Sequence, residues 1–315
     1  MPSSLYAFGG LDTSPGKIVK VRLSNFEKVD TLTLSYGEDM VRSLALDNDF
    51  LYATLFTTPG KVVKIALSNF SKVASLTLSR GEDFPISLAV AGNHLYVGTM
   101  TSPGRIVKIN LTTFVEESSL MLAPGENNAH KLQIAGDYLY VGTMESPAKV
   151  IKIDLGEFKE ISTLTLREGE ANIAGMTISA NFLYVGCATS PGRIVRIDLR
   201  TFAADSTLTL WGLSKVRELV VAGHFLYAGC MQLAGSVVKI DLATFQEVSV
   251  LGLRVEAGEG AVTPLAVAGD YLVAGTDQPW ARIILVDLQG FTRVASLVLP
   301  IGENYLDALV VWPST

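Results

Sequence analysis

Residues 95–138 read LYVGTMTSPGRIVKINLTTFVEESSLMLAPGENNAHKLQIAGDY, and Leu139-Tyr140 then begins the same phrase again. The opening pair stands at Leu5-Tyr6, Leu51-Tyr52, Leu95-Tyr96, Leu139-Tyr140, Leu183-Tyr184 and Leu226-Tyr227, with Leu272-Val273 as a seventh copy. Successive copies lie 46, 44, 44, 44, 43 and 46 residues apart. A fixed period of this length marks an array built from one supersecondary unit. No linker or shift of composition separates the copies, so residues 1–315 read as a single domain.

Each unit offers four strands. In the third copy they are 87–90, 95–99, Arg105–Asn110 and 119–122, the first two joined by the hairpin signal Ala91-Gly92-Asn93-His94. No segment keeps an apolar period near 3.6 residues, so the chain is all-β. Four antiparallel strands repeated seven times predict a seven-bladed β-propeller, because radially stacked blades bury the apolar faces that single units cannot. The chain starts on a second strand and ends on a first one at 306–312, so the terminal strands are expected to pair and close the ring. A Phe recurs in the turn after every third strand (Phe26, Phe70, Phe114, Phe158, Phe202, Phe245, Phe291), as expected of a plug between blades. The turn Thr-Ser-Pro-Gly, as at Thr101–Gly104, reads as Pro presetting φ and Gly supplying positive φ.

The Leu-Tyr-Val-Gly-Thr strand followed by Val-x-Lys-Ile-Asp-Leu resembles the YVTN-like, NHL-like and WD-repeat group of propellers over nearly the whole length. The resemblance implies the architecture. The chain has no Trp-Asp signature, no kelch double glycine and no Ser-x-Asp-x-Gly-x-Thr-Trp box, so no family role transfers to its residues.

Hydrophobic residues make up 49% of the chain and charged residues 18%, yet no apolar run reaches the 18 residues of a membrane span. The formal charge of −6 and the scatter of basic residues argue against nucleic acid. The N-terminus has no basic segment followed by an apolar one, which predicts a cytoplasmic protein or a piece of a larger one. The expected state is a monomer, since a closed ring needs no partner subunit. Cys187 and Cys230 occupy one repeat position in consecutive copies. Such positions should lie about 10 Å apart, beyond the roughly 7 Å that a disulfide spans, so both read as buried thiols.

Two sets of residues are candidates for a site. Glu38, Glu82, Glu126, Glu170, Glu259 and Glu303 follow a Gly in six loops that enter an innermost strand. They read either as an acidic ring at the channel mouth, able to hold Ca or Mg through oxygen ligands, or as a brace to the neighbouring blade. The second set comprises positions where the copies differ. Two residues before the Leu of the innermost strand the copies read Arg42, Ile86, His130, Ala174, Arg217, Thr263 and Asp307, and just upstream Met40, Phe84, Asn128, Asn172, Lys215, Ala261 and Tyr305. A residue that packing requires recurs in every blade, so diversity marks positions released from that demand. Arg42, His130, Arg217 and Asp307, with Phe84 and Tyr305, are therefore expected at the pore rim, where they could grip an anionic or sugar-like ligand.

The functional expectation is a non-enzymatic binding or scaffold propeller, natural or designed. Its Gly-Glu-Asp and Thr-Ser-Pro-Gly loops would present one face to a peptide, protein or glycan. The alternative is a metal-dependent lyase or hydrolase using Glu126 and His130 at the channel mouth. Only His94, His130 and His224 exist, and the first and last belong to the opposite face, which leaves no histidine pair for a metal.

Overall fold

The computed structural model describes residues 5–232, 235–253 and 261–312, which form 28 strands, from β1 (Tyr6–Leu11) to β28 (Leu306–Trp312), in seven four-stranded antiparallel sheets. Blade 1 has the order β28-β1-β2-β3, ending on β3 (Glu27–Thr33). The others are consecutive: blade 2 runs from β4 (Val41–Leu46) to β7 (Ser71–Thr77), and blade 3 from β8 (Pro85–Ala91) to β11 (Val115–Met121). Blade 4 runs from β12 (Ala129–Ala135) to β15 (Lys159–Thr165), and blade 5 from β16 (Ile173–Ser179) to β19 (Ala203–Leu210). Blade 6 runs from β20 (Val216–Ala222) to β23 (Gln246–Gly252), and blade 7 from β24 (Val262–Ala268) to β27 (Thr292–Val298). Every innermost strand touches the next, and β24 touches β28, which touches β4. The ring is closed. β28 pairs with β1 from Tyr6↔Trp312 to Leu11↔Leu306, as the terminal sequence predicts.

Burial falls from the axis outward. The second strand of each blade is buried at five of its six positions, as in Leu95–Thr99, because neighbouring blades cover both its faces. The outermost strands are mostly exposed and start four residues earlier than the Leu-x-Leu pattern suggests, at Val115 rather than 119 in blade 3. Their first halves are polar and carry no apolar alternation. Pairing with the third strand, through a bulge at Lys108/Ile109, is what makes them strands.

The recurrent Phe is the plug. Phe70 lies 5.4 Å from Phe8 of the preceding blade, and Phe114, Phe158, Phe202, Phe245 and Phe291 meet Tyr52, Tyr96, Tyr140, Tyr184 and Tyr227 at 5.7–6.1 Å. A cation from the third strand stacks on the same ring in six blades: Lys20, Lys64, Lys108, Lys152, Arg196 and Lys239 lie 5.0–5.9 Å from their Phe centroids. Blade 7 has Leu285 at that position, packed in the cluster that contains Phe26. Asp154, Asp198 and Asp241 accept backbone N–H bonds from the turn before the plug, at 2.8 Å from Glu157, Arg200 and Thr244. Cys187 and Cys230 are free and buried, and burial pushes both thiols up to about 12.

One local reading changes. The glycines of the Thr-Ser-Pro-Gly turns do not adopt positive φ; that conformation belongs to Gly37, Gly81, Gly125 and Gly169 of the Gly-Glu loops. Gly60 is required by close approach, since a Cβ there would stand 2.2 Å from the Glu82 carbonyl oxygen. The turn and the next Gly-Glu loop are thereby pressed together. Gly16 N–H donates to the Glu38 carbonyl at 2.8 Å, and Met40 N–H to that of Thr13 at 2.9 Å. Both loop sets lie on one face, as expected.

Candidate functional site

The residue that enters the ladder just after the loop decides the geometry at the axis. In blade 2, Val41 pairs with Leu55 and Ser43 with Thr54, so Arg42 is skipped by the ladder. The same bulge omits Ile86, His130, Ala174 and Arg217, while blade 7 omits Thr263 together with Pro264. In blade 1, Gly10 pairs with Ala308 and Leu11 with Leu306, which omits Asp307. A bulge re-aims its extra side chain out of the sheet. All seven skipped positions, with Lys131 and Glu218, line one cavity of about 50 Å3 at the top of the channel. The positions singled out by their diversity are therefore brought together. The sequence carries a signal for the bulge that pattern reading passed over. The buried residues flanking it, such as Val41 and Leu44 or Val216 and Leu219, are three apart, whereas a regular strand returns to a face every second residue.

A second variable set follows the second strand of each blade. Its members are Asp12, Phe56, Met100, Met144, Ala188, Met231 and Asp277, each donating its backbone N–H to the residue that precedes the innermost strand of its own blade. Those acceptors are Met40, Phe84, Asn128, Asn172, Lys215, Ala261 and Tyr305, and all seven have φ of +53° to +56°. The left-handed backbone is thus fixed by the architecture, while the side chain is free to vary. Only Asn adopts this region readily among the residue types present. Lys215→Asn is expected to raise stability by about 0.5 kcal/mol, read as a shift of the urea midpoint at constant m. Phe84 and Tyr305 are partly exposed on this face, with Phe84 4.9 Å from Phe56.

Charge is distributed unevenly around the mouth. Blades 7 and 1 supply Asp277, Asp307 and Asp12. Arg42 bonds Asp307 at 2.5 Å and Asp12 at 2.8 Å, and its guanidinium lies 5.0 Å from the Phe56 ring. Burial, together with Asp277 and Asp12, outweighs the pull of Arg42 and Arg217 and raises the Asp307 carboxyl from its ordinary 3.8 to about 6. Between these values the folded chain holds a proton that the unfolded chain releases. Stability should therefore rise as pH falls from about 6 to about 4, and Asp307→Asn should flatten that slope in pH-dependent urea titrations. Asp277 is also raised, by burial. His130 is buried, and burial followed by the charges of Lys131 and Arg217 lowers it to about 3. It is a neutral ring, not a cation that grips an anion, and its Nδ1 has no hydrogen-bond partner among the described residues.

Below the upper cavity, Lys131 of blade 4 and Glu218 of blade 6 bond at 2.8 Å, passing the small Gly175 of blade 5. They line both the upper cavity and the channel of about 420 Å3 beneath it. Neither Lys131 nor Glu218, nor the pair Asp12 and Asp277, stands out in a reading of single residues. The available signal was opposite or shared charge at one repeat position, where the other copies carry Ser, Gly, Pro or Ala in the first case and Phe, Met or Ala in the second.

The glutamates do not ring the mouth. Glu38 and Glu303 bond Lys72 and Lys28 on the outermost strand of the next blade, at 2.6 and 2.8 Å. Glu126 and Glu170 accept from Thr163 and Thr207 at 2.7 Å. One carboxylate oxygen caps the loop, accepting N–H from the residue three earlier at Ser35, Ser79, Ala123 and Arg167. In Glu38 it is the oxygen that also meets Lys72, and in Glu126 and Glu170 it is the one that the Thr hydroxyl leaves free. Pro300 has no N–H to offer, and Glu303 Oε2 is accordingly without a partner. The reason is distance along the chain: each Glu comes four residues after the last buried Leu of the outermost strand, before the loop has crossed to the axis. Glu259 lies outside the described residues. Among the described residues no group of three or more His, Cys, Asp or Glu stands where it could hold a metal ion. The brace also places Glu126 away from the role of partner to His130 in a lyase or hydrolase, since both its oxygens are engaged. Glu126→Ala should cost about 1–3 kcal/mol, measured by denaturant unfolding.

The sequence matches no protein-family model and no curated protein. Solved structures match the fold. Hydrazine synthase of Kuenenia stuttgartiensis superposes with a TM-score of 0.74 at 13% identity, over 86% of this chain and 89% of that one. The computationally designed Ika8 protein gives 0.67 at 17%, over 96% and 86%, and the WD40 repeats of RRP9 give 0.68 at 13%, over 86% and 83%. These likenesses place the chain among β-propellers. No helix among the described residues is long and apolar enough to cross a membrane.

Proposed function

We propose that this propeller is a non-enzymatic binding module that seats a peptide segment of a partner protein on the face formed by the Gly-Glu loops and the Thr-Ser-Pro-Gly turns. One observation carries the reading. Outside the outermost strands, the large exposed apolar side chains among the described residues are Tyr36, Phe84, Trp211, Trp280, Ile301 and Tyr305, and all six belong to loops of that face. Tyr36, Trp211 and Ile301 occupy the same position of their repeats, before the Gly of the loop, where Arg80, Pro124 and Glu168 stand in other copies. Their exposure of 99%, 80% and 92% excludes a packing role. Trp and Tyr are the residues that concentrate binding energy at protein interfaces. The likeness to the RRP9 WD40 repeats and to a designed propeller is compatible with a scaffold, and neither names a partner for this chain.

A displayed library of random peptides, selected on the immobilised protein, tests the proposal. Enriched sequences are expected to bind the wild type and to lose at least about tenfold in affinity on Trp211→Ala with Trp280→Ala, each of which removes an exposed hot-spot side chain. Unchanged affinity in that double variant, or enrichment no better than on an unrelated propeller, would overturn it.

A further inference from the structure

We propose that the axial cavity is a site for one small carboxylate group, received by Arg217 on the side of the ring that faces His130. Arg217 lines the cavity, and its guanidinium makes no hydrogen bond or close ion pair with any described residue, although its charge reaches the Asp277 and Asp307 carboxyls and draws both down. Arg42 and Lys131, the other cations of the wall, are held by Asp307 and Asp12 and by Glu218. A guanidinium offers a planar fork of donors that matches a carboxylate.

The carboxylates that would oppose an anion, Asp12, Asp277 and Asp307, all belong to blades 7 and 1, and Arg42 neutralises part of that sector. Blades 3 to 5 bring Ile86, His130 and Ala174 to the wall. Burial, then the charges of Lys131 and Arg217 and lastly that of Arg42, hold His130 neutral, and of these cations Arg217 is the one left without a described carboxylate within ion-pair distance. Size selects the ligand further. The cavity of about 50 Å3, at roughly 10–15 Å3 for each water-sized occupant, admits about four non-hydrogen atoms. That is the size of acetate or of the end of an Asp or Glu side chain, and smaller than a sugar ring.

The carboxylate has two sources, a free small acid or an acidic residue of a peptide seated on the face. Only the second rests on the function proposed above. The test uses sodium acetate as the probe, titrated against sodium chloride at constant ionic strength, with the Arg217 Nε–H resonance as readout and methylammonium as the cation control. Acetate should shift that resonance saturably with a dissociation constant on the order of 1–10 mM. Methylammonium should not, and Arg217→Gln should weaken the acetate-dependent rise of the melting midpoint at least about tenfold in apparent affinity. A linear response equal to that of chloride, or an Arg217→Gln chain that responds to acetate as the wild type does, overturns the site.

Selected peptides resolve the source. Loss of affinity on replacing Asp or Glu by Asn or Gln, abolished in Arg217→Gln, supports an acidic residue in the cavity. Acetate binding that survives Trp211→Ala with Trp280→Ala while peptide binding is lost supports the carboxylate site alone. Peptide binding indifferent to Arg217→Gln, with no acetate response, leaves the face reading standing and removes the cavity site.

Discussion

A chain ending at Tyr305 is expected to lose its cooperative unfolding transition altogether. The deletion removes β28, and with it Leu306, Leu309 and Val311, all buried in the cluster shared by blades 7 and 1. Three such side chains contribute about 5–9 kcal/mol together, at about 1.5–3 kcal/mol each, which is comparable to the whole stability of a typical domain. Leu306 is also a steric keystone. A Cβ on Gly9 or Gly275 would meet its side chain at 2.5 or 2.2 Å, and its carbonyl accepts the buried Thr263 hydroxyl at 2.8 Å. Its removal opens both blades at once and leaves β1 with a bare edge, a template for aggregation. Size-exclusion chromatography and urea unfolding check this. A truncated chain that stays monomeric and unfolds cooperatively at the wild-type midpoint would refute the closure argument.

Phe70→Ala should cost about 3–4 kcal/mol. Phe70 is 6% exposed, between Phe8 of blade 1 and the aliphatic cluster of blade 2, with Lys20 Nζ 5.6 Å from its ring. Truncation loses the transfer energy of the ring, leaves a cavity that two rigid sheets cannot collapse to fill, and strands Lys20 without one of its aromatic partners. The backbone at φ +50° is retained by Ala, so the loss reports packing and not a changed turn. Val73→Ala, three residues along on the exposed outermost strand, should stay within about 0.5 kcal/mol. Equal losses at the two positions in urea unfolding would show that the plug does not hold the blades together.

The repeat made the ring legible. Leu5 at the start and the strand at 306–312 at the end announce a shared blade, because a line of sheets with two free edges is the less stable arrangement. The seven Phe positions were legible for the same reason: identical side chains at identical places meet identical surroundings. Arg42, His130, Arg217 and Asp307 were placed at the rim by their differences. Of the two readings of the glutamates the brace is the one found, and sequence left them open because recurrence and spacing locate a loop without saying how far along its path each residue lies. The neutrality of His130 was not legible, because it depends on burial, on its strand neighbour Lys131 and on Arg217, a charge brought in by another blade.

The sequence alone determined the number of blades, the strand order within each and the face that carries the loops, since these follow from local pattern and its period. The tertiary structure decided which charges meet: the bulge that turns seven unequal side chains to the axis, the pairing of Lys131 with Glu218 across Gly175, and the lack of a close ion pair at Arg217. Such pairings join residues 87 to 265 positions apart, and only the curvature and closure of the ring set their distances.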